Sequence, residues 1–217
     1  MAQTFTLAHV GYMLEGVLWT LILSALAFVL GGFAGFGMLL LRISRFRIVR
    51  QLSFVVVQII QGIPLLVILF AVYFGLGIVG VQVPPLVAAG IAMMIYCAAF
   101  LAEIWRGCVL AVPRTQFEAA ECVALSRWQT LTKVILPQAL RIATPPTVGF
   151  MVQVVKSTSL ASVVGFVELT RAAQIINNST FQPFLVFGIA GAMYFAVCWP
   201  LSAWSRVLER KLHVGRH

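Results

Sequence analysis

The sequence predicts an all-α integral membrane protein with five transmembrane helices, its N-terminus outside and its C-terminus cytoplasmic. Three observations carry this. Hydrophobic residues make up 61% and charged residues 10% of the 217, and the mean hydropathy is +1.02; a soluble domain of this length has too little interior for so much apolar side chain. Five stretches, at residues 17–41, 54–78, 85–110, 145–166 and 184–208, each reach the roughly 20 apolar residues that a spanning helix needs. Thirteen of the fifteen basic residues then fall on one side of the membrane if the N-terminus is outside, and cytoplasmic loops collect Lys and Arg.

Those basic residues form three groups. Arg42, Arg45, Arg47 and Arg50 follow the first span, Arg106, Arg114, Arg127, Lys133 and Arg141 lie at the end of the third or between it and the fourth, and Arg206, Arg210, Lys211 and Arg216 close the chain. The net charge of +9 is thus explained by topology and anionic headgroups rather than by nucleic acid, whose binders concentrate charge on a soluble face.

The spans follow in order. Residues 1–16 hold no Lys or Arg and one acid, Glu15, so the basic n-region of a cleaved signal is missing and the first span is predicted to stay as an anchor. Gly31, Gly32, Gly35 and Gly37 give it a close-packing face, expected against the second span or a partner chain. Pro64 is interior to the second span and Pro200 to the fifth, and each is expected to kink its helix. In the third, Glu103 and Arg106 lie three apart and can pair near the cytoplasmic end; as intramembrane charges they are also functional candidates. Thr144 is placed to cap the fourth span with Pro145 in its first turn.

Within the fourth span Gly149, Gln153, Lys156, Ser157 and Leu160 recur at spacings of three and four and share one face. Polar groups inside a span face a bundle interior or a water-filled cavity, which makes Gln153 and Ser157 candidate ligands for a polar substrate. Helix packing competes with that assignment for Ser157, Thr158 and Ser159, because small hydroxyl residues also let helices approach. Lys156 can sit near the outer third and snorkel. Residues 168–180 are expected on the outer surface as a short helix within reach of an outside partner, with Asn177, Asn178, Ser179 and Thr180 as a polar connection before the fifth span.

Cys97, Cys108, Cys122 and Cys198 show no CxxC spacing, and His9, His213 and His217 lie near the termini. Packing accounts for the cysteines, and neither a metal cluster nor a nucleophile with its base can be assembled. Internal repeats and long linkers are missing, so residues 1–217 are expected to form one membrane domain with a polar insert at 113–137.

That insert, whose 118–137 portion reads EAAECVALSRWQTLTKVILP, is basic and helix-forming amid lipid-soluble sequence. Thr115 with Glu118 and Ser126 with Gln129 both have capping-box spacing, which predicts two short helices at 116–124 and 127–136 meeting at 124–126. Trp128, Leu131 and Ile135 continue an apolar stripe from Ala120 and Ala124. The element is therefore an amphipathic elbow, suited either to lying on headgroups or, through its small Ala119, Ala120 and Ala124, to docking closely on another protein.

Glu118-Ala119-Ala120, three residues, a small residue, nine residues and Val134-Ile135-Leu136-Pro137 resemble the EAA loop of ABC importer permeases, EAA-x3-G-x9-I-x-LP. The resemblance extends over nearly the whole chain and narrows to permeases for polar amino acids. Gln61-Gly62-Ile63-Pro64-Leu65-Leu66 resembles their RGTPLL, Ala102 to Gly107 and Val112 to Arg114 resemble AEIWRGG and VPRG, and Lys156-Ser157-Thr158-Ser159-Leu160 resembles KDTSL. It implies a type I importer permease fold in a bacterial inner membrane. It also implies partners: a periplasmic binding protein that delivers the amino acid, a second permease chain, identical or different, and a pair of ABC ATPase subunits that hold the ATP and Mg, leaving no cofactor and no enzyme activity in this chain.

By that resemblance Glu118, Ala119, Ala120, Ala124, Ser126, Arg127, Trp128 and Pro137 belong to the element that couples to the ATPase. The substrate path would include Gly149, Gln153, Lys156, Ser157, Thr158, Ser159, Gln61 and Glu103. Two departures matter. Ala124 stands where the family has glycine, and since left-handed alanine costs on the order of 1 kcal/mol the bend is expected at Ser126 with Ala124 helical; Val134 replaces isoleucine. Ser157 stands where the family has an acid, and the chain contains no Asp, which favours neutral or acidic over cationic amino acids. A stand-alone secondary transporter or channel is the competing class, but such proteins more often show matching inverted halves, which five unequal spans do not offer.

Overall fold

The computed structural model describes residues 4–213; Arg216 and His217 lie outside them. The order is α1 (Leu7–Arg42), α2 (Arg47–Gly62), α3 (Leu65–Ile78), α4 (Pro85–Leu110), α5 (Arg114–Cys122), α6 (Arg127–Gln129), a π-helical turn (Thr130–Ile135), α7 (Leu136–Ser157), a 3-10 segment (Thr158–Val164), α8 (Leu169–Thr180) and α9 (Pro183–His213). Four helical stretches are long and apolar enough to cross a membrane, and the α2–α3 pair makes a fifth if counted as one broken span.

The second span is the first departure from expectation. Pro64 does more than kink it: α2 and α3 meet at 98°. The proline holds Ile63 extended at ψ 131°, while the Pro64 carbonyl accepts the N–H groups of Val67 and Ile68 and starts α3 afresh. By contrast α9 runs through Pro200 as one helix.

The centre is the α1–α4 pair. Gly31 and Gly35 on α1 do pack closely, but against the third span rather than the second. A Cβ on Gly31 would run into the Cys97 Cβ, and one on Gly35 would lie 2.9 Å from the Ala98 carbonyl oxygen. Gly32 and Gly37 make no such approach. Around this seam Leu23, Ala27, Ala92, Met93, Leu101, Phe150 and Val154 are buried together, and Trp105 Nε1 donates to Thr147 Oγ1 at 2.9 Å, tying α4 to α7.

The fourth span begins far earlier than 145. Helix continues from Arg127 to Val164, with Pro137 in the first turn of α7 and Pro145 and Pro146 inside it. Thr144 therefore caps nothing; its hydroxyl donates to the Leu140 carbonyl at 2.8 Å. The paired prolines leave carbonyls one turn earlier without N–H partners, and Ser205 on α9 donates to the Pro145 carbonyl beside them at 2.9 Å.

The 168–180 segment is helical as expected, yet its inner face is buried on α1 and α9 through Leu169, Ala173 and Ile176. Asn177 to Thr180 form its last turn rather than a connection, and Phe181, at φ 53°, closes it.

Candidate functional site

The elbow at 113–137 is built residue by residue. Its first helix starts earlier than Thr115, because Pro113 follows Val112 in extended backbone and its carbonyl already accepts the Gln116 N–H at 3.0 Å. Thr115 thus lies in the first turn with helical backbone, and the Thr115–Glu118 capping box does not form. The second box does. Ser126 N–H donates to Gln129 Oε1 at 2.9 Å and Gln129 N–H to Ser126 Oγ at 3.3 Å, the reciprocal pairing that satisfies two free donors.

Between the helices the bend falls on Ala124, not Ser126. Ala124 is left-handed at φ 54°, its N–H donates to the Glu121 carbonyl at 2.9 Å, and the Leu125 N–H reaches the Ala120 carbonyl at 3.1 Å. These are the two bonds of a Schellman termination, whose left-handed position glycine normally fills. Ser126 could not take the bend because its backbone must be extended, at ψ 155°, to cap the next helix. Two hydrogen bonds outweigh the steric cost of one methyl group.

After α6 the helix widens to a π turn over Thr130–Ile135, which sequence patterning did not anticipate. Its signal was Pro137, whose ring crowds the carbonyl four residues back, at Lys133. Three contacts hold the elbow to the bundle. Ile135 and Ala139 pack on Val109 and Val112; Gln138 Nε2 donates to Gln116 Oε1 at 3.1 Å; and Arg127 Nη2 donates to the Ile43 carbonyl just past α1 at 3.3 Å.

Of the coupling candidates, only Ala120 is buried. Glu118, Ala119, Ala124, Ser126, Arg127, Trp128 and Pro137 are exposed on this tethered surface. Trp128 and Ala124 therefore do not continue the inward stripe; Trp128 is 67% exposed and neighbouring Val123 68%. Leu131 and Ile135 supply the inward face instead.

The substrate-path candidates separate. Gly149, Gln153 and Lys156 are exposed together along α7, an open polar stripe on the isolated chain. Thr158 is fully buried and its hydroxyl donates to the Val155 carbonyl, while Ser159 Oγ donates to that of Lys156; both hydroxyls serve their own helix. Ser157 borders an apolar gap among Leu65, Leu69, Ala92 and Met93. Gln61 is half-buried in the last turn of α2. Sequence reasoning passed over Gln51 and Gln58, exposed on α2 at spacings of seven and three from each other and from Gln61, a helical polar stripe that the glutamines themselves announced.

Glu103 is held between two arginines. Arg42 Nη2 reaches Glu103 Oε2 at 2.9 Å, and Arg106 bonds the other carboxylate oxygen. The partner Arg42 was not anticipated, because it lies 61 residues away. A second buried acid is Glu168, fully enclosed, which accepts the N–H groups of Thr170 and Arg171 at 2.9 and 2.8 Å and the Tyr194 hydroxyl at 2.7 Å. Desolvation raises its carboxyl pKa against the lowering pull of those hydrogen bonds. Its oxygens cap α8 and are committed there. Among the described residues no three His, Cys, Asp or Glu side chains gather as a metal site.

A membrane bundle with a tethered, outward-facing EAA elbow defines the permease class, and comparison with known proteins agrees. Residues 27–214 match the family described as binding-protein-dependent transport system inner membrane component, and the chain belongs to that family. It is 33% identical over 92% of its length to a probable amino-acid ABC transporter permease of Bacillus subtilis, covering 88% of that protein. It is 37% identical over 93% of its length to a probable glutamine ABC transporter permease of the same organism, covering 94% of it. A crystal structure of an amino acid ABC transporter with histidines superimposes with a TM-score of 0.90 at 30% identity, over 96% of this chain and all of that one. The methionine ABC transporter MetNI in an inward-facing form shares the fold at 20% identity and a TM-score of 0.70, over 94% of this chain and 95% of its own. The chain is thus a multi-pass permease subunit of a binding-protein-dependent ABC importer, which displaces the stand-alone transporter or channel.

Proposed function

We propose that this permease carries polar amino acids into a bacterial cytoplasm, with its N-terminus outside and the elbow inside. The observation that carries the proposal is the elbow itself: an exposed face of Glu118, Ala119, Arg127 and Trp128 on a support locked to α1, α4 and α7. Coupling requires an element whose position differs between two global states and which moves without deforming. Ion-pairing and aromatic side chains at the centre of an exposed face are the usual anchors of a protein interface, here that of an ABC ATPase subunit. ATP and Mg belong to a pair of such subunits, and this chain is no enzyme.

A second permease chain, identical or different, completes the path. The exposed polar stripes of α7 (Gly149, Gln153, Lys156) and α2 (Gln51, Gln58) face it across the solute, and a periplasmic binding protein delivers the amino acid to the other end. The names of the similar permeases support an amino acid as cargo. A neutral or acidic side chain fits best, since Lys156 is the stripe's ionisable group and the buried Glu168 is occupied by its own cap.

The test reconstitutes the complex with its binding protein and ATPase subunits and measures ATP turnover and uptake across the amino acids. Glu118→Lys should abolish ATP-driven uptake while the complex still assembles. Unchanged uptake would refute the coupling role, and stimulation by lysine or arginine alone would refute the substrate class.

A further inference from the structure

A cavity of about 540 Å³ lies where the ends of α1 and α4 meet the start of α2 and the elbow. Its size is that of a small-molecule site. Four arginines line it, Arg42, Arg50, Arg106 and Arg127, against one lining carboxylate, Glu121. Glu103 stands behind and is shared by Arg42 and Arg106, so the guanidinium charge exceeds the acid available.

Arg42 is the decisive residue. It is 6% exposed, with one Nη donating to Glu103 and its guanidinium carbon 5.0 Å from the Phe54 ring centre, yet its Nε is buried without an acceptor. A buried charged donor left unmatched is costly, and among the described residues neither Glu103, already shared by two arginines, nor Glu121, which pairs with none of them, accepts from it. Arg50 is exposed, and among the described residues its guanidinium has no hydrogen-bond acceptor. The remaining wall includes Val109, Leu110 and Leu131, so the charged groups share the cavity with apolar surface.

We propose that this cavity binds a phosphate-bearing anion, with Arg42 and Arg50 as its principal ligands. Guanidinium forks match phosphate oxygens in pairs, and basic pockets between spanning helices suit anionic lipid headgroups, whose glycerol and acyl chains would cover the apolar wall. The site is separate from the polar stripe of α7 and does not depend on which solute is carried.

The full-length chain, purified in neutral detergent, would be titrated with phosphatidylglycerol, phosphatidylcholine and inorganic phosphate under native mass spectrometry. One anion per chain is expected, held about fivefold more weakly by Arg50→Gln, the effect of removing one basic contact to an anionic headgroup. Arg206→Gln, on α9 away from the cavity, should bind as the unaltered chain does, and because Arg50 is exposed its variant should melt normally. Retention of phosphatidylglycerol alone assigns the anion to lipid, whereas saturable inorganic phosphate binding that Arg50→Gln weakens assigns it to a soluble phosphate. Equal binding by the chain and Arg50→Gln, or phosphatidylcholine held as tightly as phosphatidylglycerol with no inorganic phosphate bound, would overturn the proposal.

Discussion

Replacing Ala124 by glycine should tighten the elbow. The residue occupies the left-handed position of a Schellman termination at φ 54°, where a Cβ costs about 1–2 kcal/mol. Removing it also loosens the unfolded chain, at a cost of about 0.4–1 kcal/mol. The difference leaves a local stabilisation of about 0.5–1 kcal/mol, confined to the end of α5 and the start of α6. Hydrogen exchange reads this directly, because the Ala124 and Leu125 amides close the motif and exchange only when it opens. Their protection in the glycine variant should rise about two- to fivefold by the same arithmetic, with amides of the α1–α4 seam unchanged. Ala124→Val should do the opposite, since a β-branched residue is still less tolerated at positive φ. Unaltered or faster exchange in the glycine variant would show that the bend does not store the supposed strain.

Glu103→Gln should lower stability by about 3 kcal/mol, because it strands Arg42 as an uncompensated buried cation; a thermal melt in detergent within 1 °C of the parent would contradict this. Gly31→Val should cost about 3 kcal/mol by forcing α1 away from Cys97 on α4, seen as a lower melting temperature, whereas Gly37→Val, with no neighbour within 4 Å, should be near neutral. Trp128→Ala should weaken association with the ATPase subunit about thirtyfold, as expected for a hot-spot aromatic worth about 2 kcal/mol, in a detergent pull-down; if only membrane partitioning changes, Trp128 is a headgroup anchor instead.

Periodic and compositional features were the legible ones. Apolar length announced the spans, and Ser126 with Gln129 announced a cap that forms with both bonds. Misjudged features depended on competition between neighbours. Ala124 on its own propensity favours a helix, but Ser126 needs extended backbone for its cap, so the positive φ falls two residues earlier, on Ala124. Thr144 and Pro145 looked like a helix start because proline tolerates that place; they lie inside a helix whose first turn carries another proline, Pro137. Long-range pairing was invisible: nothing local in Arg42 or Glu168 points to Glu103 or Tyr194, 61 and 26 residues away.

The continuity of the helix from Arg127 to Val164 constrains how any movement of the elbow can reach the solute path. Trp128 and Gln153 lie on one helix, separated by about 38 Å at 1.5 Å per residue. A push on α6 cannot be absorbed in a loop, because no loop intervenes. It can be absorbed only where the ladder of hydrogen bonds is irregular, at the π turn of 130–135 or at Pro145 and Pro146. The π turn is braced on both sides: Ile135 is fully buried against α4, and Gln138 is bonded to Gln116 of α5. The prolines are held by two side-chain hydrogen bonds, Ser205 on α9 to the Pro145 carbonyl and Trp105 on α4 to Thr147, but their own N–H bonds are missing from the helix ladder. Flexure should therefore concentrate at the prolines, just before the stripe that begins at Gly149. A displaced elbow would tilt α7 as a lever below that point and change the angle at which Gln153 and Lys156 meet the opposite wall, while the α1–α4 seam, closed by glycine contacts, stays fixed.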